Sequence, residues 1–243
     1  METSRLKDQA RWIGGKASVL IFDVNETLID FESMNPLFKR VFGDERVLRE
    51  WLGHLILYSM TLTLSGLYKD FFSLGQGLFE MVGEIRKVQV SPADVEALKT
   101  GMLTMPAHPD VKEGLQMLKD AGFRMATLTN SPPSKGGKTP LESAGLAGFF
   151  ERQFSVETAR AYKPAQVLYH MVAQELDVPP AACCMVAAHV WDMIGAQSAD
   201  LAVRPAHPAR QRAAAGARAP SRPRPAELFR HLSSESHSPM VLN

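Results

Sequence analysis

One segment constrains the fold of this chain more than any other: Ser18-Val19-Leu20-Ile21-Phe22-Asp23-Val24-Asn25-Glu26-Thr27-Leu28. Its apolar residues run on without alternation, which predicts a strand buried on both faces in a parallel sheet covered by helices. The run ends in a carboxylate and a polar turn. The strand therefore delivers Asp23 to its C-terminal edge, where open α/β sheets gather their ligands. A carboxylate at such a place needs hydrogen bonds or a bound group to offset burial. An Asp that only caps the following turn is the alternative. Thr27 four residues on, and matching segments downstream, favour a reactive Asp23.

The residues after this strand change period. Asn35 to Thr104 reads almost entirely helical, with Leu37-Phe38-Val41-Phe42, Leu48-Trp51-Leu52-Leu55 and Leu67-Phe71-Phe72-Leu74-Leu78 at helical spacings. Ser91-Pro92-Ala93-Asp94 has the composition of a helix start, with Ser91 as N-cap. From Pro109 onward helices and strands alternate. Val111 to Ala121 is a helix stopped by Gly122, and Phe123 to Thr129 a buried strand. A Pro/Gly/Lys loop (Pro132 to Pro140), a short helix to Ala144 and a strand at Gln153-Phe154-Ser155 follow. Next come a helix over Pro164 to Leu176, a strand over Ala182 to Ala188 and a helix from Asp192 to Ala199. This order predicts an α/β fold: a Rossmann-like parallel sheet core flanked by helices, with an inserted all-helical cap subdomain. The expected boundaries are 17–34 and 108–205 for the core and 35–107 for the cap, with the cleft between cap and sheet edge.

The last segment, 206–243, is Arg/Pro/Ala-rich. Between Leu201 and Leu232 stand seven arginines, no lysine and the single acid Glu227. A partly disordered solvated tail, an anion-binding arm and an altered reading frame all fit this bias. A strand at Leu201-Ala202-Val203 and a short helix over Pro225 to Leu232 would complete the sheet.

Bulk composition excludes several partner classes. Lys and Arg number 27 against 26 Asp and Glu, so no global charge attracts nucleic acid or an anionic membrane. No apolar run reaches membrane-span length. Met1 to Lys16 is charged and lacks the apolar core of a secretory signal, so a cytoplasmic location is expected. Cys183 and Cys184 are adjacent, which suits neither a disulfide nor a zinc site; buried free thiols are expected.

Four segments at predicted strand ends carry chemistry: Asp23 with Thr27; Thr127-Leu128-Thr129-Asn130-Ser131; Ala161-Tyr162-Lys163-Pro164; and Val186-Ala187-Ala188-His189-Val190-Trp191-Asp192. In this order around an all-helical insert, the set resembles the haloacid dehalogenase superfamily, most closely its type II L-2-haloacid dehalogenases. The resemblance runs from about Val19 to about Ala199. It implies that Asp23 is the nucleophile, supported by Thr27, and that Thr129 and Asn130 correspond to the family's Ser-Asn pair. It also matches Lys163 to the motif lysine, Tyr169 to a tyrosine six residues beyond it, and Asp192 to the acid of the last motif.

Phosphatases of this superfamily use a second Asp two residues after the nucleophile and usually bind Mg²⁺. Here that position is Asn25, which exchanges no proton at neutral pH. The side chain of Glu26 beside it is expected to point away from that of Asn25. A halide leaving group needs no proton, so the resemblance implies carbon–halogen hydrolysis of a 2-haloalkanoic acid through an aspartyl ester, without cofactor or metal. Lys163 would keep Asp23 ionised, Asp192 would orient the hydrolytic water, and Thr27, Thr129, Asn130, Tyr169 and His189 would serve the substrate. A phosphatase or phosphotransferase of the same fold is the alternative, as is a binding protein that lost activity. The resemblance also implies pairing of two copies through the apolar cap. Two departures stand out. The halide-binding arginine of the family corresponds here to Leu62, and the residue at 189 is His, a halide or substrate donor or a strand-end cap.

Overall fold

A computed structural model describes residues 17–133 and 138–206. Its centre is a five-stranded, wholly parallel sheet of β1 (Val19–Phe22), β2 (Arg124–Thr129), β3 (Arg152–Ser155), β4 (Cys183–Ala187) and β5 (Ala202–Pro205). The strand order is β3-β2-β1-β4-β5. Strand β1 lies in the middle and every one of its residues is buried, as expected of a strand covered on both faces. After β3 the chain crosses β1 to build the other half of the sheet. The crevice at the C-terminal ends of β1 and β4 is therefore a topological switch point, where such sheets bind ligands. Register puts Phe22 beside Thr127 on one side and Val186 on the other, so Asp23 emerges between two strand ends.

Between β1 and β2 the chain forms α1 (Asn35–Phe42), α2 (Val47–Leu64), α3 (Phe71–Arg86) and α4 (Pro92–Thr104). Ser91 caps α4 in a reciprocal capping box with Asp94, a local feature that its sequence announced. An aromatic cluster holds these helices together. Phe38 meets Trp51 and Phe79 edge-on or tilted at 5.4 and 5.3 Å, and Trp51 donates its indole N–H to the Gly75 carbonyl at 2.9 Å. A Cβ at Gly75 would sit 3.2 Å from the Trp51 ring, so the small residue sets how closely α2 and α3 approach. Both ends of the insert are tied to each other. Ile29 bridges Ala107, Asp30 N–H reaches the Pro106 carbonyl at 2.8 Å, and His108 N–H reaches the Leu28 carbonyl at 3.0 Å.

The remaining helices are α5 (Val111–Asp120), α6 (Pro140–Ser143), α7 (Gln166–Glu175) and α8 (Val190–Ser198). Two differ from expectation. Helix α7 starts at Gln166 instead of Pro164, because Ala165 is extended and a turn from the Tyr162 carbonyl to Ala165 N–H, 3.1 Å, occupies that stretch. Helix α8 starts at Val190, which puts Asp192 in its first turn. The helix expected over Pro225 to Leu232, and the segment 207–243 with it, lie outside the described residues. Cys183 and Cys184 are buried free thiols.

Candidate active site

Asp23 stands one residue past β1 with its N–H on the Val186 carbonyl at 3.0 Å. Thr27 donates its hydroxyl to Asp23 Oδ2 at 2.6 Å and accepts the Ala188 N–H at 3.0 Å, which joins the β1 and β4 loops. Lys163 donates to Asp23 Oδ1 at 2.7 Å. Burial alone would raise the Asp23 pKa. The Lys163 ammonium, and after it His189, outweigh burial and hold the carboxyl below the usual range, so Asp23 is ionised.

Lys163 is 1% exposed, which rules out an ordinary surface lysine at a helix start. Its Nζ also donates to Asp192 Oδ2 at 2.7 Å and to the Leu128 carbonyl at 3.1 Å, so all three ammonium donors are used. Burial opposes its charge, but Asp192 and Asp23 together raise its pKa. The turn that aims Lys163 inward is held from both sides. Lys163 N–H donates to Asn130 Oδ1 at 3.3 Å, and Tyr162 gives its N–H to Thr63 at 2.8 Å and its hydroxyl to the Lys69 carbonyl, both in the cap segment.

Asp192 is fully buried. Tyr169 donates to its Oδ1 at 2.6 Å while Lys163 takes Oδ2. The positive end of α8 favours an acid in its first turn. Burial, and the charge of Asp23 in addition, nonetheless push the Asp192 pKa up. Gly195 makes the arrangement possible: a Cβ there would fall 2.6 Å from the Pro164 carbonyl and 2.7 Å from the Tyr169 hydroxyl. Any larger residue would lift α8 off the lysine turn.

Above Asp23 opens a narrow cleft lined by Asp23, Asn25, Glu26, Asn130, His189 and Trp191 from the core and by Leu52, Ile56 and Phe71 from the helices after β1. This lining revises four expectations. Tyr169 is fully buried with its hydroxyl on Asp192, so it braces the acid and does not line the cleft. Asp192, likewise outside the cleft, has both oxygens taken, which suits holding Lys163 better than orienting a water. Thr129 faces a separate pocket with Thr127, Gln153 and Phe154, and its hydroxyl accepts the Ser131 N–H at 3.1 Å. The residue of α2 that lines the cleft with Asp23 is Leu52, ten residues from Leu62, because the packing of Trp51 and Leu55 turns that face of α2 inward.

Glu26 lines the cleft together with Asn25. Its backbone is left-handed, with φ 63°, a conformation that costs a non-glycine residue about 1 kcal/mol. That conformation lets its carboxylate meet His189 Nε2 at 2.7 Å while Arg49 of α2 pairs with the other oxygen. Arg49 also reaches Glu32 at 2.6 Å. Burial would raise the Glu26 pKa, but His189 and Arg49 lower it. His189 stacks on Trp191, with ring centres 5.1 Å apart, and its Nδ1 lies 3.9 Å from Asp23 Oδ2. Burial would lower its pKa; Asp23 and Glu26 raise it to about 9, so the ring is protonated at neutral pH. The signal that would have revealed Glu26 is an acid and a histidine at the ends of two adjacent strands.

The donor set does not suit a divalent cation. Position 25 offers an amide, the Lys163 ammonium lies 2.7 Å from both Asp23 and Asp192, and a protonated imidazole faces the same carboxylate.

Three comparisons place this geometry among known proteins. The model of the haloacid dehalogenase-like hydrolases matches residues 17–200. The (S)-2-haloacid dehalogenase 1 of Pseudomonas sp. (strain CBS-3) is 28% identical over 182 residues, 72% of this chain and 78% of that protein. A phosphoglycolate phosphatase of Colwellia psychrerythraea is 25% identical over 203 residues, 75% of this chain and 81% of that one. The solved L-2-haloacid dehalogenase of Xanthobacter autotrophicus shares the fold with a TM-score of 0.72 at 23% identity, covering 92% of this chain and 85% of that one. With the match to the family model spanning the Asp23 loop, the helices after β1 and the segment through Asp192, the chain belongs to the haloacid dehalogenase-like hydrolase family.

Proposed function

We propose that this protein hydrolyses the carbon–halogen bond of a 2-haloalkanoic acid to give a 2-hydroxyalkanoic acid and halide. One observation carries the reading: an ionised, buried Asp23, held by Lys163 and Thr27, faces a cleft in which position 25 provides an amide where a phosphatase needs an acid. An Asp23 oxygen attacks C2 of the substrate and halide leaves, forming an ester on Asp23. Water then attacks the ester carbonyl and releases the hydroxy acid. Lys163 keeps Asp23 charged, and Asp192, braced by Tyr169, keeps Lys163 in place. Leu52, Ile56, Phe71 and Trp191 surround the alkyl and halogen groups. Among the described residues of the cleft, His189 is the cation left to face an anion, since Lys163 has spent its donors.

The direct test is incubation with L-2-chloropropionate, chloroacetate and fluoroacetate while free halide is measured. Halide release supports the reading; Mg²⁺-dependent phosphate release from p-nitrophenyl phosphate, with no halide, moves the protein to the phosphatase branch. Two further outcomes are expected. Dialysis against EDTA leaves halide release unchanged, because the Asp23–Lys163–Asp192 arrangement has no place for a cation; a large loss restored by Mg²⁺ would refute this. Leu52→Arg places a cation opposite the nucleophile and should speed halide departure several-fold, read as kcat/KM for the chloride substrate. The same change at Leu62 should do nothing, since that position is outside the cleft lining.

The cap also suits association of two copies, because α2 and the turn after it expose Leu57, Tyr58, Leu64 and Leu67.

A further inference from the structure

We infer that His189, through Nδ1, is the general base for hydrolysis of the Asp23 ester, with Glu26 as its positioning residue. The inference rests on the dehalogenase reading and adds a role that the reading leaves open. The lysine side of the site has no base to offer a water: Asp192 is buried and both of its oxygens are occupied. On the opposite side, His189 Nε2 is held by Glu26 at 2.7 Å. Nδ1 is buried without a hydrogen-bond partner among the described residues, and it lies 3.9 Å from Asp23 Oδ2. That separation is too long for a hydrogen bond and leaves the nitrogen available to a reactant held against the Asp23 carboxyl. An acid that orients one ring nitrogen while the other faces the reacting group is the arrangement general-base catalysis requires. Arg49, on Glu26 from the cap side, and the stacked Trp191 fix the pair from the two remaining directions.

Charge changes at Asp23 time the base. The groups facing His189 are Asp23, Glu26 with Arg49 behind it, and Lys163 on the far side of Asp23. While Asp23 is anionic, the ring holds its proton, with a pKa raised to about 9. In that form Nδ1–H donates to an arriving anion or departing halide. Alkylation forms the Asp23 Oδ–C2 bond, breaks the C2–halogen bond and removes the negative charge. Its partner lost, the imidazolium releases a proton to solvent. Neutral Nδ1 then takes a proton from water as the water oxygen bonds to Asp23 Cγ. Collapse breaks the Cγ–O bond to the alkoxide, and the proton of the new carboxylic acid passes to that alkoxide. Asp23 returns ionised and His189 protonated, so one water is consumed and one proton and one halide are released per turnover. Two pH limits follow: ester hydrolysis rises with pH through the lowered His189 pKa of the ester form, and alkylation falls as pH passes about 9.

The test is rapid-quench kinetics with L-2-chloropropionate on wild type, His189→Asn and Glu26→Gln, with intact-mass analysis and folding checked by circular dichroism. His189→Asn should release about one halide per site and then stall. Its kcat should be lower by at least about 100-fold, with one propionate group on the peptide containing Asp23; added imidazole should restart turnover. Glu26→Gln should keep the burst and move the pH midpoint of ester hydrolysis downward, because the anion that raises the imidazole pKa is gone. Ester hydrolysis at the wild-type rate in His189→Asn, or equal loss of burst and hydrolysis, would overturn the proposal. If that variant does not fold, an unmoved midpoint in Glu26→Gln overturns it instead. Absence of halide from wild type would sink the dehalogenase reading itself, a result separate from any of these.

Discussion

Replacing Asp23 with Asn is expected to lower kcat by at least about 10,000-fold, the scale seen when the attacking group of a covalent mechanism is removed. The amide keeps the volume of the carboxylate; its oxygen still accepts from Lys163, and its NH2 meets the Thr27 hydroxyl, which can turn to accept, so the fold should survive. What it loses is the charge that makes the oxygen a nucleophile. The structure sharpens this expectation. Two donors and a nearby imidazole keep Asp23 ionised in spite of burial, the form that a carboxylate nucleophile requires at neutral pH. Halide release measured on purified variant, with contaminating wild type excluded by mass, checks the prediction. Turnover within tenfold of wild type would remove Asp23 from the nucleophile role.

Lys163→Met should have the largest effect on stability, lowering it by about 3–5 kcal/mol, as breaking a buried ion pair does. The thioether fills most of the volume of the lysine stem but leaves the carboxylates of Asp23 and Asp192 buried with no cation between them. One of them must take up a proton. The sign with pH follows. Asp23 has a lowered folded pKa in the wild type, so its contribution is present at neutral pH and is lost as pH falls through that value. The penalty of the substitution should accordingly shrink in acid. Urea unfolding at several pH values measures it, with an unchanged m-value as control. Activity should fall as well, and the acid limb of kcat/KM should move to higher pH as the Asp23 pKa rises. A loss under about 1 kcal/mol at neutral pH would mean that the two acids share a proton in the native protein.

Much of this protein is legible in order along the chain. The continuous apolar run ending in Asp23, the Ser91 cap and the alternation of helix and strand after Pro109 are local patterns, and local physics decides them. So is Asp23 at the end of β1, because a strand that must be buried on both faces can offer a charged side chain only where it stops. The segment around Lys163 does not by itself fix an inward turn, since an exposed lysine at a helix start has the same sequence. Burial against Asp23, Asp192 and the Leu128 carbonyl closes that question.

What the sequence by itself determined is the set of strand ends and the reactive groups placed on them. Only tertiary structure decided which of those groups face the cleft and which stand behind it. Tyr169 and Asp192 are one layer back, because Gly195 lets α8 settle onto the lysine turn. The face that α2 shows to Asp23 is Leu52 and Ile56, since the aromatic cluster of the helices after β1, distant in sequence from Asp23, sets the rotation of that helix. Glu26 turns inward through a left-handed residue that sequence would not favour there, compensated by His189 from β4 and Arg49 from the cap. Each of these outcomes depends on contacts between segments far apart in the chain, and spacing along one segment carries no information about them.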